Sequence, residues 1–304
     1  MDKEYIKKTA VIFAAAAVCA AALPLAACQN TPERTTYDIT CTYSEERGTL
    51  SAVCDVTYVN TADTDVIKFN IYGNAYREGA LYRPVSDELE GSAYYNGASY
   101  GGVQITAVEG GEWTICGEDE NILEVTLPGT LAGGDSCNIS ISYTLELAEV
   151  NHRTGIAEHA VNLGNFYPVA CARDGDGNFL ECPYYSDGDP FLSDCADYKV
   201  TLTVPEGYTA AASGQLVESS GNTYTYSLEN ARDFCMVISD EFERISAEAG
   251  GTQVYYYYYS DDNAQAKLDA ACQSLEYFKS AFGEYMWPTL SVVQTGFAAG
   301  GMEY

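Results

Sequence analysis

Histidine is nearly absent from this sequence, with two in 304 residues. His152 and His159 stand seven apart across Gly155, not the one-turn spacing that puts two imidazoles on one helix face, and His-Glu-x-x-His occurs nowhere. They are read as structural, or at most as lining a substrate-facing surface. Base is scarce as well: Lys and Arg total 15 against 44 Asp and Glu, a formal net charge of −29. Residues 1–27 hold three lysines and two acids, so residues 28–304 are no less acidic. Such a surface repels phosphate backbones and anionic lipid, which excludes nucleic acid as a partner and electrostatic docking to membranes. No Cys-x-x-Cys pair occurs among the 11 cysteines, so a zinc ribbon or thioredoxin-type motif has no support. Long apolar runs are missing too, since Ala10 to Ala22 is too short for a membrane helix. No internal repeat of fixed period stands out.

What is present begins with a targeting segment. Lys3, Lys7 and Lys8 form a positive n-region and Ala10 to Ala22 an apolar h-region. Leu25-Ala26-Ala27-Cys28 then resembles a bacterial lipobox. That resemblance implies a signal peptide over residues 1–27, cleavage before Cys28, and a diacylglyceryl group on the Cys28 thiol. The mature protein would be extracytoplasmic, lipid-anchored to the bacterial cell membrane. The alternative is an ordinary secretory peptide cut nearby, with Cys28 a spare thiol. Residues 28–36 read as a polar tether.

With 47% hydrophobic and 12% aromatic residues, the rest can build real cores and has room for two domains. Period-2 or β-branched runs appear at 37–44, 50–60, 66–73, 102–108, 121–127, 137–147, 197–205, 208–217, 222–228 and 234–239, with Gly, Asn, Asp and Pro clusters between them. The predicted class is mainly β, a large antiparallel sandwich or saddle over 37–245. Tyr255 to Tyr259 either stacks sugars or is a strand with aromatics on both faces. After Ser260 the period changes. Asp261 and Asp262 read as a helix start, and Leu268, Cys272, Leu275, Phe278 and Phe282 recur on one helical face that ends near Gly283. A boundary is placed in Ser246–Thr252, so a second domain starts strand, helix, strand over 252–304.

Setting aside Cys19 and Cys28 leaves nine cysteines. Cys41 and Cys54 fall opposite each other if a hairpin turns at Arg47-Gly48, and Cys171 and Cys182 do so around Asp176-Gly177. Export permits disulfides there; small buried thiols are the alternative for each pair. Asp174-Gly-Asp176-Gly-Asn178 begins like a calcium loop, but Phe179 and Tyr185 stand where that loop needs Gly and Glu, so a hairpin turn is expected.

The last stretch runs from an apolar strand (Leu290, Val292, Val293) through Gly296, Gly300 and Gly301 to a single carboxylate, Glu303. Gly300-Gly301-Met302-Glu303 resembles the exopeptidase signature Gly-x-Met-Glu-Asn of the aminopeptidase N family of zinc metallopeptidases. Asn162-Leu-Gly-Asn-Phe-Tyr-Pro168, Gly188 to Pro205 and Glu229-Asn-Ala-Arg-Asp-Phe234 are similar to segments of that family's N-terminal domain, in the right order. The resemblance implies a β-domain packed on a thermolysin-like catalytic domain that removes N-terminal residues from peptides. It implies that Glu303 binds the substrate α-amine, with Gly300, Gly301 and Met302 lying along the substrate backbone. Tyr304 departs from the signature, which has Asn there. In the family the zinc ligands, general-base Glu and transition-state Tyr lie beyond this motif and have no counterpart here. The chain as written is thus expected to be inactive by itself and to bind no zinc, with zinc the cofactor of a longer parent. Leu268, Leu275, Phe278 and Phe282 are expected to lack most of their packing partners. The competing reading is a noncatalytic surface lipoprotein whose β-domain binds peptide or glycan.

Overall fold

The computed structural model describes residues 34–304 apart from 187, 189 and 190. Residues 1–27, Cys28 and the Asp189-Pro190 turn lie outside the described residues. The described residues form one unit.

Strict alternation sets the first strands. β1 (Thr36–Ser44) and β2 (Thr49–Val59) send Ile39, Cys41, Leu50, Cys54 and Val56 inward and the residues between them outward. The end of the predicted tether already belongs to the fold, since Arg34 pairs with Asp197 at 3.1 Å and Thr36 opens β1. Next come β3 (Thr64–Asn70), a 3-10 turn at Tyr72–Tyr76, the one-turn helix α1 (Glu90–Ala93), β4 (Gly102–Glu109), β5 (Glu112–Cys116), β6 (Ile122–Leu131) and β7 (Ser136–Glu146). Three short strands follow, β8 (Thr154–Ile156), β9 (Val161–Leu163) and β10 (Val169–Ala170). After them run β11 (Ala196–Thr203), β12 (Thr209–Ala212), β13 (Gln215–Ser220), β14 (Thr223–Ala231) and β15 (Met236–Ser239). Last are β16 (Glu243–Ala249), β17 (Thr252–Tyr258), α2 (Ala264–Phe282) and β18 (Thr289–Val293).

The large sheet has seven strands in the order β13-β14-β11-β1-β2-β7-β4, all antiparallel except β1 with β11. Two four-stranded sheets, β10-β3-β6-β5 and β12-β15-β9-β8, cover its inner face. Phe69, Ile141, Leu163, Val200 and Met236 bring the three sheets into one fully buried core. The mainly β sandwich expected from the alternation is what the chain forms.

Several local readings change. The run 208–217, predicted as one strand, is two, and they belong to different sheets: β12 pairs with β15, and β13 pairs with β14. The chain crosses over at Gly214, whose φ is +77° and whose added Cβ would stand 2.5 Å from the Ser227 carbonyl oxygen. Gly214→Ala should therefore cost about 1–3 kcal/mol in urea unfolding, from left-handed backbone strain and a backbone overlap that cannot relax cheaply. A loss under about 0.5 kcal/mol would contradict this account of the crossover.

The Cys41–Cys54 pairing fails on register. Cys41 lies opposite Ala52 and Cys54 opposite Ile39, so the two thiols are diagonal neighbours on the inner face. Both are free and buried, and burial pushes the Cys41 thiol up to about 12. Cys171 and Cys182 are free as well, the first buried and raised by that burial. Around the Asp174 turn, the carboxylate accepts the backbone N–H of Asp176 (2.9 Å) and of Asn178 (2.8 Å) and the Asn178 side-chain amide (3.0 Å). These bonds, those from Asn178 foremost, hold its pKa below the usual value. Donors fill the places where a calcium ion would need free oxygen, and the segment is a hairpin turn.

Residues 246–252, read as a boundary, are the turn and flanks of the β16–β17 hairpin, with Gly250 and Gly251 both at positive φ. A fourth sheet, β16-β17-β18, thus begins at Glu243, and β17, α2 and parallel β18 supply the expected strand, helix, strand. The tyrosine run explains itself here. Val254 and Tyr256 face the cluster beneath α2, while Tyr257 is buried on the other face and Tyr259 stacks on His159 at 4.4 Å. Asp261 starts the helix by accepting the Asn263 N–H at 2.9 Å and pairs with Lys267 at 2.8 Å. That lysine, with the Tyr256 hydroxyl, holds its carboxyl down to about 2. Leu268 and Leu275, expected to lack partners, are buried against Ala249, Val254 and Tyr256. Phe278 and Phe282 remain 53% and 84% exposed, although the helix's last turn still meets the β16–β17 turn through Lys279, which donates to the Gly250 carbonyl at 2.6 Å.

Candidate functional site

The terminal segment is laid down along residues 151–164 of the β-domain. Beyond β18, the Gln294 N–H bonds to the Tyr257 carbonyl at 2.8 Å, and its side chain accepts the Tyr259 N–H at 3.1 Å. Buried Asn162 then ties two distant pieces of chain. Its amide donates to the carbonyls of His152 (2.8 Å) and Gly296 (3.1 Å), while its oxygen accepts the Thr295 hydroxyl at 2.6 Å. Gly296 has to be glycine at this contact, since a Cβ would lie 2.3 Å from the Asn151 side-chain oxygen. Phe297 stacks on the His152 ring at 5.5 Å, and the Ala298 N–H bonds to the Asn151 carbonyl at 3.0 Å.

At the far end the Tyr304 hydroxyl donates to the Arg153 carbonyl at 3.2 Å, and its ring covers Gly164. Residues 299–303 therefore arch between two attachments on either side of His152. Gly300, Gly301 and Glu303 are exposed and Met302 is half-buried. Gly300 has open space where a Cβ would go, so neither packing nor a left-handed φ demands glycine at 300 or 301. What the two glycines leave is bare, accessible backbone. The Glu303 carboxylate makes no hydrogen bond or ion pair with the described residues. It faces water, free to accept from a cation brought to it.

Beneath the arch lies a partly buried polar layer that sequence reasoning missed. The His152 ring nitrogen Nδ1 is bonded to the Tyr76 hydroxyl at 2.7 Å, and burial, aided by the Arg153 charge, lowers its pKa to about 4. His152 is thus neutral at pH 7. Asp233 is half-buried, and its desolvation raises it to about 6, against the pull of the Phe234 N–H, the Tyr167 hydroxyl, Arg153 and Asn165. It accepts from Tyr167 at 2.9 Å and from Asn165 at 2.8 Å. Only the family-like segments around Asn162 and Asp233 hinted at this layer; nothing in their periodicity did. His159 bonds to Glu241 at 3.0 Å. Among the described residues no three His, Cys, Asp or Glu side chains converge as a metal site, so this set does not fit a zinc ion.

No protein-family profile matches the sequence, and neither does any curated protein. Solved structures do match. An M1 zinc metallopeptidase from Deinococcus radiodurans is 16% identical with a TM-score of 0.52, over 85% of this chain and 55% of that one. A mutant M1 zinc metallopeptidase from the same organism, bound to the substrate Tyr-Ser-Ala, is 16% identical with a TM-score of 0.52, over 86% of this chain and 56% of that one. The chain thus spans little more than half the length of the structures it matches, and its fold is similar to the N-terminal β-domain region of M1 zinc metallopeptidases.

Proposed function

We propose that this chain is the N-terminal part of a surface-anchored zinc aminopeptidase, and that Glu303 grips the free α-amine of its peptide substrates. The observation that carries the reading is the Glu303 carboxylate itself: exposed, unpartnered within the described protein, and held at the end of a glycine-rich arch fixed at both sides. A carboxylate in that setting takes an ammonium group through charge-assisted hydrogen bonds, which selects chain ends over interior bonds. The open backbone of Gly300 and Gly301 is suited to pairing with an extended peptide beside it. The fold likeness supports the reading, and one of the matched peptidases is bound to a tripeptide.

In this proposal the β-domain, expected over 37–245, gives way at β16 to the catalytic domain, expected over 252–304 and opened by the β16–β17 hairpin, with the zinc ligands supplied by residues outside the described set. Activation of water and polarisation of the carbonyl would then depend on the metal those residues would hold. The exposed Tyr277, Phe278, Phe282 and Met286 form the kind of apolar patch that another protein layer covers. The lipobox and Cys28 supply the anchor. The test is to read the gene beyond codon 304 for a His-Glu-x-x-His motif and express the whole product. Bound zinc and cleavage of aminoacyl chromogenic substrates, with N-acetylated ones refused, are expected. A stop codon at 305, with a soluble monodisperse protein, would favour the noncatalytic lipoprotein instead.

A further inference from the structure

Glu303 makes no hydrogen bond or ion pair with the described residues, so something else must decide where it points. Six residues upstream of Tyr304, the Ala298 N–H holds the Asn151 carbonyl; at the end of the arch the Tyr304 hydroxyl holds the Arg153 carbonyl at 3.2 Å. The second attachment is adjacent to Glu303 and depends on a missing side chain across the contact. A Cβ on Gly164 would stand 2.5 Å from the Tyr304 Cε1 and hydroxyl oxygen and 2.8 Å from Cζ. Gly164 has an ordinary φ, so conformational freedom is not why glycine stands there. The room it leaves is filled by the tyrosine ring. One edge of the ring stays open, since the residue is 46% exposed, but Cys235, Arg153, Tyr76 and Tyr184 are near its hydroxyl end, and desolvation there raises its pKa well above the ordinary value.

We infer that Tyr304 is a positioning residue: its ring, seated in the slot left by Gly164 and bonded to the Arg153 carbonyl, fixes the Glu303 carboxylate above the β-domain. The consequence for catalysis rests on the amine-binding reading of Glu303; the docking itself does not. Because the slot is built by the β-domain, the geometry of the amine anchor is set by residues far earlier in the chain.

Carbon-13 methyl labelling of methionine tests the docking on residues 1–304 directly. Met302 adjoins Glu303, and Met236, fully buried in the core, reports whether the fold survives. In the unaltered chain and in Tyr304→Phe, the Met302 methyl should resonate away from the free-methionine position. In Tyr304→Ala and Gly164→Ala it should collapse to that position while Met236 stays put. An unmoved Met302 in both alanine variants overturns the inference. Should Gly164→Ala also disturb Met236, Tyr304→Ala decides alone. In the whole peptidase, Tyr304→Ala should raise KM for free-amine substrates by about 10- to 100-fold at near-constant kcat, and Tyr304→Phe should restore most of it. A Glu303→Ala defect without a Tyr304→Ala defect sinks the positioning role and spares the amine site. No defect in Glu303→Ala sinks the amine site, while a Met302 collapse would still uphold the docking.

Discussion

Glu303→Ala is expected to lower kcat/KM for free-amine substrates of the whole peptidase by about 10- to 100-fold, the equivalent of losing a charge-assisted hydrogen bond worth about 1.5–3 kcal/mol. The side chain is exposed and touches no described partner, so the folded state has little to lose; its thermal midpoint should stay where it was. Zinc content should be unchanged for the same reason. N-acetylated peptides, which present no ammonium group to the carboxylate, should be refused by the variant and the unaltered enzyme alike. Glu303→Gln, which keeps an acceptor oxygen but not the charge, should fall between. Equal kinetics for Glu303→Ala and the unaltered enzyme on free-amine substrates would remove the carboxylate from the mechanism.

The second large effect is a pair of opposed pH dependences hidden in the layer under the arch. Asp233 has a folded pKa of about 6 against an ordinary 3.8, so the folded state holds its proton more tightly than the unfolded one. Its contribution is full below about pH 4 and is lost as pH rises through about 6. His152 runs the other way, with a folded pKa of about 4 against an ordinary 6.5. Below about pH 4 folding must accommodate a buried charge; above about 6.5 it does not, so stability rises with pH across the same window. Each shift corresponds to about 3 kcal/mol, and the two nearly cancel. Urea unfolding of the unaltered chain between about pH 4 and 6.5 should thus show little slope from this site. Asp233→Asn should uncover the rising His152 contribution, and His152→Gln the falling Asp233 contribution. Two variants with the same slope as the parent would mean that neither group is perturbed as the structure indicates.

How far the sequence could be read depends on what periodicity encodes. Alternation says which face of a strand is buried, and β1, β2, β7 and β11 were legible because their inward residues are uniformly apolar or aromatic. β5 and β16 were not read from it: β5 is five residues long with little buried, and in β16 the inward side chains are Ile245 and two small alanines, Ala247 and Ala249, so the signal is weak and pairing with β6 and β17 completes the strands. The cysteine pairing failed because alternation is blind to register: a shift of two residues keeps both thiols on the same face while moving them off opposition. On α2 the period marked five apolar positions, but only packing against the sheet decided that Leu268 and Leu275 are covered and Phe278 and Phe282 are not.

Residue order alone determined the β class, the strand–helix–strand ending and the glycine-rich run that carries Glu303, because these depend on neighbours a few positions apart. Only the tertiary structure decided that this run would lie across residues 151–164, with Asn162 gripping Thr295 and Gly296 and with Tyr304 on Gly164. Those partners are far apart in the chain. What joins them is the packing of one sheet against another, which brings the two segments side by side and is written in no local pattern.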